Sequence, residues 1–519
     1  MPILISRGFA TVNCSIKKNN MNKKVLVIGG GVSGLATAIY LQINGYNTEI
    51  LEKNAVLGGA CIGWDRKDCY IDGCIHWLVG TKPNTGIHEI WLETGALGEG
   101  VKVYNQRDFY TLDFPCGKKF NVWTDFKKTE EELISFAPED KKQIKKFCKL
   151  IKRFQRINPP VEKPVDLMNV LDLLKIGLTM AGDYYYVNKT SKISCEDYGK
   201  KFKNPYISRW IAEHMSSGYN LMSFLYMLGH VTANDGGIPE GGSLAMVERM
   251  QSRYLSLGGK IRRGAEVKTV DVEKGVAKGV TLKTGEKLTA DWVVASTPSV
   301  HTVKDLLGGT YPVKEIDERL KDRKTYPIYT YTTAIFKVSA DMQSAPISHK
   351  VYLDSPIRLN EDNYSVVFRN YSYDKTLKAP KGSCVIQGTI GGDDEMYFWW
   401  KEVKEKWDYK AKKQEIAQKI LDVYLEKYPE LTGKVEIIDV VTPMTYQRYL
   451  NGRNGSFQAF VQTAKAKAMM RKGEIKGLKN FVMSGQWLLT SGGLPPAAIT
   501  GRFAAQRICK RDKLKFKRA

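Results

Sequence analysis

A glycine-rich turn near the N-terminus places the strongest constraint on the fold of this chain. Gly29, Gly31 and Gly34 are spaced as G-x-G-x-x-G directly after the apolar run Val25–Ile28, which is typical of a strand buried on both faces. In such a unit the first glycine permits the tight turn, the second lets a pyrophosphate approach the backbone, and the third lets the helix pack on the strand. The spacing therefore predicts a dinucleotide-binding βαβ unit.

The residues after the turn complete this unit. We predict a helix from about Val32 to Asn44, which Gly45 ends, and a second strand over Thr48–Leu51. Glu52 then follows the first glycine at close to the distance of about 20 residues expected for a carboxylate that binds an adenosine ribose. The predicted nucleotide contacts in this segment are Gly29, Gly31, Val32, Ser33, Gly34, Glu52, Lys53, Gly58, Gly59 and Ala60.

Length and charge limit the class of protein and its partners. A chain of 519 residues is long enough for two or three domains with sizeable cores. Lysine and arginine number 79 against 55 acidic residues, and the net charge of +24 favours anionic partners such as nucleotide phosphates or anionic lipid headgroups. The sequence carries no zinc-finger, helix-turn-helix or aromatic RNA-binding motif, so we predict no nucleic-acid partner.

The nine cysteines are scattered and form no C-x-x-C pair. This pattern favours free thiols in a reducing compartment. A metal site formed by Cys61, Cys69, Cys74 and His76 is the less favoured alternative, and we predict no metal.

The two ends of the chain bear on its location. Residues 1–20 carry basic but no acidic charges and resemble a short organelle presequence, although a start at Met21 instead of Met1 explains them equally well. No run reaches 18 apolar residues, so we expect a cytoplasmic protein that is soluble or peripheral to a membrane. The tail from Lys510 to Arg518 interleaves Leu514 and Phe516 with six basic charges. It predicts attachment to an anionic membrane surface, with a frayed, solvated tail as the alternative.

Residues 161–233 are helical in pattern and rich in apolar and aromatic side chains. Two parts stand out, VLDLLKIGLTMAGDYYYV and GYNLMSFLYMLGHVTA. The simpler interpretation is that both are buried core helices. The alternative is an apolar substrate tunnel or a membrane-dipping patch, in which Met222, Phe224, Tyr226 and Met227 would suit a pliable lipid pocket. For the preceding basic helix, KKQIKKFCKLIKRF, a domain-surface position is favoured over a membrane-bound one.

Two later glycine-rich stretches indicate which kind of dinucleotide protein this is. One runs from Gly241-Gly242 to Ala295-Ser296-Thr297-Pro298, and the other is GLKNFVMSGQWLLTSGGLPPAAITGRFAAQRI near the C-terminus, with a helix predicted over Ala497–Cys509. Together with the N-terminal unit, they resemble the flavoprotein superfamily of phytoene desaturases, carotenoid isomerases and retinol saturases, which is related in fold to the amine oxidases. The resemblance covers most of residues 24–510.

The resemblance implies an α/β fold with α+β inserts, in which a Rossmann-like FAD-binding domain is joined to a sheet–helix substrate domain. It implies cofactor contacts by Val267, beside the adenine, and by Gly485, Gln486, Gly493 and Leu494, around the isoalloxazine. We expect FAD to be non-covalent, because this C-terminal turn holds no histidine or cysteine. Gln486 stands where the superfamily commonly has an acid, and Asp72-Gly73-Cys74 where it favours Asp-x-Gly.

The predicted elements divide the chain into two domains and two terminal segments. The divisions are an N-terminal extension at 1–22, an FAD-binding domain at 23–115, 236–308 and 436–510, a substrate domain at 116–235 and 309–435, and a basic tail at 511–519. Within the second half of the substrate domain we predict strands over Tyr329–Val338, Tyr364–Phe368 and Cys384–Ile390, followed by a helix over Lys410–Tyr428.

Because a flavin carries hydride or electron transfer itself, the protein mainly has to position a substrate and exclude water. The predicted function is FAD-dependent desaturation, saturation or redox-assisted isomerisation of C–C bonds in a long apolar isoprenoid, carotenoid-like or other lipid substrate. One alternative is an amine oxidase, with Trp487 and Tyr449 as the candidate aromatic cage. Another is a non-catalytic, flavin-bearing membrane-associated protein.

Only one polar residue in the N-terminal half is a candidate for proton transfer. This is His76, for which a structural role is the favoured interpretation. The chain has no second strand-linked G-x-G-x-x-G for a nicotinamide nucleotide. We therefore expect a quinone, oxygen or a redox partner protein to exchange electrons with the flavin.

Overall fold

The computed structural model describes residues 22–215, 218–359, 361–489 and 492–518. The predicted presequence and the question of the start codon lie outside these ranges. The strands are β1 Lys24–Ile28, β2 Asn47–Glu52, β3 Gly63–Arg66, β4 Cys69–Asp72, β5 Val103–Tyr104, β6 Asp108–Asp113, β7 Lys119–Trp123, β8 Ile238–Pro239, β9 Lys260–Arg263, β10 Val267–Glu273, β11 Val276–Leu282, β12 Lys287–Thr289, β13 Trp292–Ala295, β14 Thr330–Val338, β15 Ser348–Arg358, β16 Asp362–Asn370, β17 Cys384–Gly392, β18 Val435–Val441 and β19 Phe481–Met483.

Between these strands the chain forms helices, singly or in groups. They are α1 Val32–Ile43, α2 Gly86–Glu93, α3 Phe126–Phe136, α4 Lys141–Phe154, α5 Val170–Ser191, α6 Cys195–Gly199, α7 Pro205–Glu213, α8 Leu221–Thr232, α9 Gly242–Ser256, α10 Ser299–His301, α11 Lys314–Lys321, α12 Asp394–Lys406, α13 Tyr409–Lys427, α14 Pro443–Leu450 and α15 Leu494–Arg511.

A parallel sheet in the order β19-β13-β1-β2-β9 forms the centre of the first domain. The apolar run of β1 is buried, because α1 and α15 cover one face of the sheet and the antiparallel sheet β10-β11-β12 covers the other. The two helices are in close contact at Gly501, where a Cβ atom would lie 2.7 Å from the Ser33 carbonyl oxygen. The predicted dinucleotide-binding fold is therefore present.

A seven-stranded sheet in the order β18-β14-β17-β16-β15-β6-β7 forms the second domain. Its pairs are antiparallel except for β6 with β15. Helices α12 and α13 bury an apolar cluster on one face of this sheet. In this sheet β6 pairs with β15, and β18 pairs with β14. The predicted divisions at 115 and 436 instead assign β6 and nearly all of β18 to the first domain.

A helical layer from α3 to α8 completes the second domain. Ile144, Phe147 and Ile151 of α4 are buried in its core, so the favoured domain-surface position is confirmed for this basic helix. Most of α8 is buried as well. Helix α5 is different, because Leu171 and Leu178 are 75% and 84% exposed. The core-helix interpretation is therefore right for α8 and wrong for α5.

The basic tail is held against the first domain. The ring of Phe516 packs on that of Tyr40 with 5.8 Å between centroids, and Arg518 pairs with Glu93 at 2.7 Å and Glu162 at 3.2 Å. The frayed-tail alternative is therefore wrong, and Phe516 contacts protein. No helix in the described ranges combines the length and apolar character needed to cross a membrane.

The eight cysteines in the described ranges are free thiols. Cys61 belongs to the core beneath the dinucleotide sheet, whereas Cys69 packs in a separate apolar cluster with Val385. The alternative metal set of three cysteines and His76 is therefore divided between two apolar clusters. Within the described residues, no group of side chains is arranged to bind a metal ion.

Candidate active site

The three fingerprint glycines occupy the turn between β1 and α1. Gly29 has a φ of +96° and donates its N–H to the Leu51 carbonyl at 2.9 Å, which fixes the turn. A Cβ on Gly31 would meet no atom closer than 3.7 Å, whereas a Cβ on Gly34 would lie 1.9 Å from the Gly29 carbonyl oxygen. Gly31 therefore leaves space for a ligand, and Gly34 permits close packing of helix and strand.

The first turn of α1 provides polar groups for an anion. Its N-cap is Gly31, and no side chain caps the helix. The Ser33 hydroxyl is buried and has no hydrogen-bond partner in the described structure. Unpaired N–H groups and the positive end of the helix dipole favour anionic oxygen atoms at such a position. These features fit a pyrophosphate.

Glu52 ends β2 and is only 5% exposed. Its carboxylate accepts hydrogen bonds from the Gly30 N–H at 2.8 Å and from the backbone and side-chain nitrogens of Asn54. Next to it, Lys53 donates to the Asn451 side chain at 2.6 Å, and burial lowers the pKa of Lys53. The acid is therefore fixed at the rim of the fingerprint turn, where a ribose would lie.

The segment Gly58–Ala60 forms the wall opposite Gly31. Gly58 donates its N–H to the Gly30 carbonyl at 2.9 Å. It has a φ of +126°, and a Cβ there would lie 2.3 Å from the Cys61 carbonyl oxygen, so only glycine fits. The two glycine segments therefore run side by side, and both line the cavity in which a ligand would bind.

A buried carboxylate, Asp72, joins the segment after β4 to the start of α9. It accepts hydrogen bonds from the Ser243 hydroxyl at 2.7 Å and from the Cys74 N–H at 3.0 Å. Burial raises the pKa of Asp72, while these donors counteract the rise. In this chain the carboxylate thus positions the loop that carries His76.

The C-terminal turn lies at the start of α15. Gln486 bridges it, because its amide nitrogen donates to the Phe457 carbonyl at 2.9 Å and its amide oxygen accepts from the Gly493 N–H at 2.8 Å. The helix begins at Leu494, three residues before the predicted Ala497, and includes two prolines in its first turn. Proline suits that position, which has no partner for a backbone N–H.

One continuous cavity of about 2000 Å³ connects these elements. Of the predicted cofactor residues, Gly34 lies behind the wall, and the others line the cavity: Gly29, Gly31, Val32, Ser33, Glu52, Lys53, Gly58, Gly59, Ala60, Val267, Gly485, Gln486, Gly493 and Leu494. At its other end the cavity reaches Met222, Tyr226 and Met227 of α8, whereas Phe224 is a core residue.

His76 lines the middle of the cavity together with Cys74. Burial and the nearby Arg369 guanidinium hold the pKa of His76 well below its usual range. The imidazole is therefore neutral at physiological pH and is not a charged acid.

The predicted aromatic cage is not assembled. Tyr449 lies near the Glu52 end, where its carbonyl accepts a hydrogen bond from Asn54, and its side chain is 47% exposed. Trp487 is buried and packs edge-on against Phe460 at 5.1 Å. The described structure has no ring contact between these two residues, which the amine-oxidase alternative gave as contributors to an aromatic cage.

Several polar side chains of the cavity were not among the predicted residues. They are Tyr110, His214, Lys350, Arg369 and Gln387. Four of them lie on strands of the large sheet, and β15, which carries Lys350, was not predicted. No local motif marks them.

The parallel dinucleotide sheet, the second sheet and the shared cavity define a two-domain flavoprotein oxidoreductase. Comparison with known proteins agrees, since the family described as flavin containing amine oxidoreductase matches residues 32–509. The chain belongs to this family, and it is an FAD-dependent oxidoreductase.

Relatives of known function extend over nearly the whole chain. A lycopene-forming phytoene desaturase of Paracoccus sp. is 24% identical and covers 93% of this chain and 97% of its own length. A chloroplastic prolycopene isomerase of Daucus carota is 23% identical over 93% of this chain and 79% of its own. An oxidoreductase structure from Methanosarcina mazei, 16% identical, covers 94% of this chain and 100% of its own, with a TM-score of 0.58.

Proposed function

We propose that the protein desaturates, saturates or isomerises C–C double bonds of a long apolar lipid of the isoprenoid or carotenoid type. The observation that carries this proposal is the continuity of the cavity, which runs from the fingerprint turn to the methionine- and tyrosine-lined wall of α8. A volume of about 2000 Å³ is larger than a cofactor or a drug-sized ligand needs. The names of the relatives, a phytoene desaturase and a prolycopene isomerase, support the substrate class.

We also propose the residues that hold FAD. The Gly29–Gly34 turn with Ser33 and the facing Gly58–Ala60 segment would bind the pyrophosphate, Glu52 the ribose, and Val267 the adenine. Gly485, Gln486, Gly493 and Leu494 would enclose the isoalloxazine. When bound, FAD supplies hydride or electron transfer. The positive end of α15 favours negative charge beside this turn, and the apolar walls exclude water. The protein residues thus position and shield the reacting groups.

FAD is proposed to be non-covalent. Cys61, Cys74 and His76 also line the cavity. The contact with Cys74 and burial raise the pKa of the Cys61 thiol, which disfavours the nucleophilic thiolate. Precipitation of the protein with acid should release all of the flavin into the supernatant. Flavin fluorescence retained on a denaturing gel would contradict this.

Gly31→Trp tests the placement of the pyrophosphate. The indole would fill the space that Gly31 leaves open, so we expect the variant to purify without flavin. Flavin absorbance per protein is the measurement, and circular dichroism shows whether the fold persists. A variant that keeps the full flavin content would contradict the placement.

A substrate screen tests the reaction. After anaerobic reduction or in the oxidised state, the holoenzyme is offered polyenes and amines, with a quinone or oxygen as electron acceptor. A change in polyene absorbance with flavin turnover supports the proposal. Turnover of amines alone selects the amine-oxidase alternative, and binding without any turnover selects the non-catalytic one.

We further propose that the protein docks on a membrane through α5. Leu171, Leu174 and Leu178 follow one face at helical spacing and are 75%, 57% and 84% exposed. On the other side of the same helix, Met180 and Val187 line the cavity. Helix α5 therefore has an exposed leucine face on one side and the proposed lipid pocket on the other. The tail adds exposed lysines, which favour an anionic surface.

A further inference from the structure

Two cationic side chains share the face of the large sheet that lines the cavity. In the antiparallel pair β15–β16, Ser348 is opposite Arg369, and Lys350 is opposite Val367. Because side chains alternate along a strand, Lys350 and Arg369 project from the same face, and both line the cavity. We call Lys350 and Arg369 the cationic pair.

The partners of the cationic pair are neutral. Arg369 donates to the Ser348 hydroxyl at 2.7 Å and to the Tyr110 hydroxyl. Lys350 donates to the backbone carbonyl of Glu213, the last residue of α7. The Glu213 carboxylate itself pairs with Arg209 at 3.1 Å. Among the residues that the structure describes, no carboxylate forms an ion pair with either member.

The Glu213 carboxylate attracts the Lys350 ammonium from nearby but forms no ion pair with it, and the buried surroundings make the lack of a direct partner costly. Lys350 is only 4% exposed, and burial lowers its pKa to about 8, so it stays mostly protonated at neutral pH. The nearby His214 adds no further positive charge, since burial and the two cations hold its pKa well below the usual range. Buried charges are normally paired. An anionic ligand would supply the missing partner.

We propose that the cationic pair binds the carboxylate of an amphipathic substrate, a long apolar chain with one acidic end. The inference rests on the proposed function, and it narrows the substrate class from lipids in general to apolar acids. A guanidinium presents donors in a fixed fork that matches a carboxylate, and the ammonium adds a second cation on the same face of the sheet. The apolar residues Met222 and Val367 also line the cavity and would contact the chain.

A purely structural role for the pair makes a different prediction. Lys350 donates to the C-terminal turn of α7, where a cation stabilises the helix dipole, and Arg369 joins two strands through hydroxyl groups. In that case a carboxylate on the ligand would not increase its affinity. Substitution of Lys350 or Arg369 would then change the affinity for all ligands equally.

The test compares two probes of equal length, geranylgeranoic acid and geranylgeraniol, bound to the holoenzyme and followed by the change in flavin absorbance. We expect the acid to bind roughly tenfold to a hundredfold more tightly than the alcohol, as a charge-assisted contact requires. In Arg369→Gln this ratio should fall to about one, and Arg369→Lys should restore part of it. Arg358→Gln is the matched control, because Arg358 lies on β15 with its side chain 79% exposed.

Equal binding of acid and alcohol by the unaltered enzyme would overturn the inference, as would an equal loss of both in Arg369→Gln. If Arg369→Gln does not retain flavin, Lys350→Met provides the same comparison. Turnover of an uncharged polyene is measured in parallel. If the polyene is turned over but the acid binds no more tightly than the alcohol, the cationic pair is excluded as a carboxylate site and the proposed function stands. If the polyene is not turned over, the result counts against the proposed function itself.

Discussion

Helices α5 and α8 both carry several leucines, but the leucines lie in different environments. Leu221, Leu225 and Leu228 of α8 are at most 1% exposed, because α8 packs closely against α4. At Gly229 the two helices touch, and a Cβ there would lie 2.7 Å from a backbone atom of Phe154. In α5, by contrast, Leu178 is 84% exposed. Apolar content therefore does not reveal burial; the neighbouring elements decide it.

The way α5 is attached explains the difference. Arg153 of α4 pairs with Asp183 at 2.9 Å and lies over the Tyr186 ring at 4.9 Å. Both contacts are near the C-terminal half of α5. The leucines of the N-terminal half face away from the protein, which is unusual for a soluble surface and is typical of a membrane or protein contact.

The largest expected difference between the helices is in stability. Leu225→Ala in α8 should lower the free energy of unfolding by about 2–5 kcal/mol, because it leaves a cavity in a closed core. Leu178→Ala in α5 should change it by no more than about 0.5 kcal/mol, because the side chain is already in water. Urea unfolding of the two variants measures both values. Similar costs at the two positions would mean that α5 is covered by protein in solution.

A second experiment asks what the leucine face binds. Replacing Leu171, Leu174 and Leu178 by serine should weaken binding to vesicles about a hundredfold or more, because each buried leucine contributes about 1.5–3 kcal/mol. Co-sedimentation with phosphatidylglycerol vesicles is the measurement. The control replaces Leu92 and Leu255, which are 41% and 47% exposed elsewhere, by serine. Unchanged binding of the α5 variant, or an equal loss in the control, would exclude α5 as the docking element.

The smallest expected effect concerns the tail. Substituting Lys513, Lys515 and Lys517 by glutamine should reduce binding to anionic vesicles by about tenfold and leave binding to neutral vesicles unchanged, because each charge adds at most about 1 kcal/mol and salt screens it. Comparison at low and high salt measures this. A truncation would be less informative, because it also removes the packing of Phe516 on Tyr40. Loss of binding to neutral vesicles in the lysine variant would contradict a purely electrostatic role.

Parts of the fold with local signals were predicted closely. Helix α13 was expected over Lys410–Tyr428 and spans Tyr409–Lys427, and α1 ends one residue before the predicted position. Strand β15 was missed, because Ser348, His349 and Lys350 are all buried polar residues at its start and give no alternating pattern. Lys350, one member of the cationic pair, is among these residues. Because β15 was not predicted, this candidate binding residue was not predicted either.

The sequence by itself determined the dinucleotide-binding unit, because the turn, the helix start and the close packing of Gly34 depend on residues within a few positions of one another. Only the tertiary structure decided which helix leaves its leucines exposed and which strand lies next to which. Lys350 and Arg369 share a face of the sheet because β15 pairs with β16 in one register, and a shift of one residue would turn one of them to the opposite face. This register depends on packing across the sheet, and the buried polar residues at the start of β15 give no alternating pattern that would predict it.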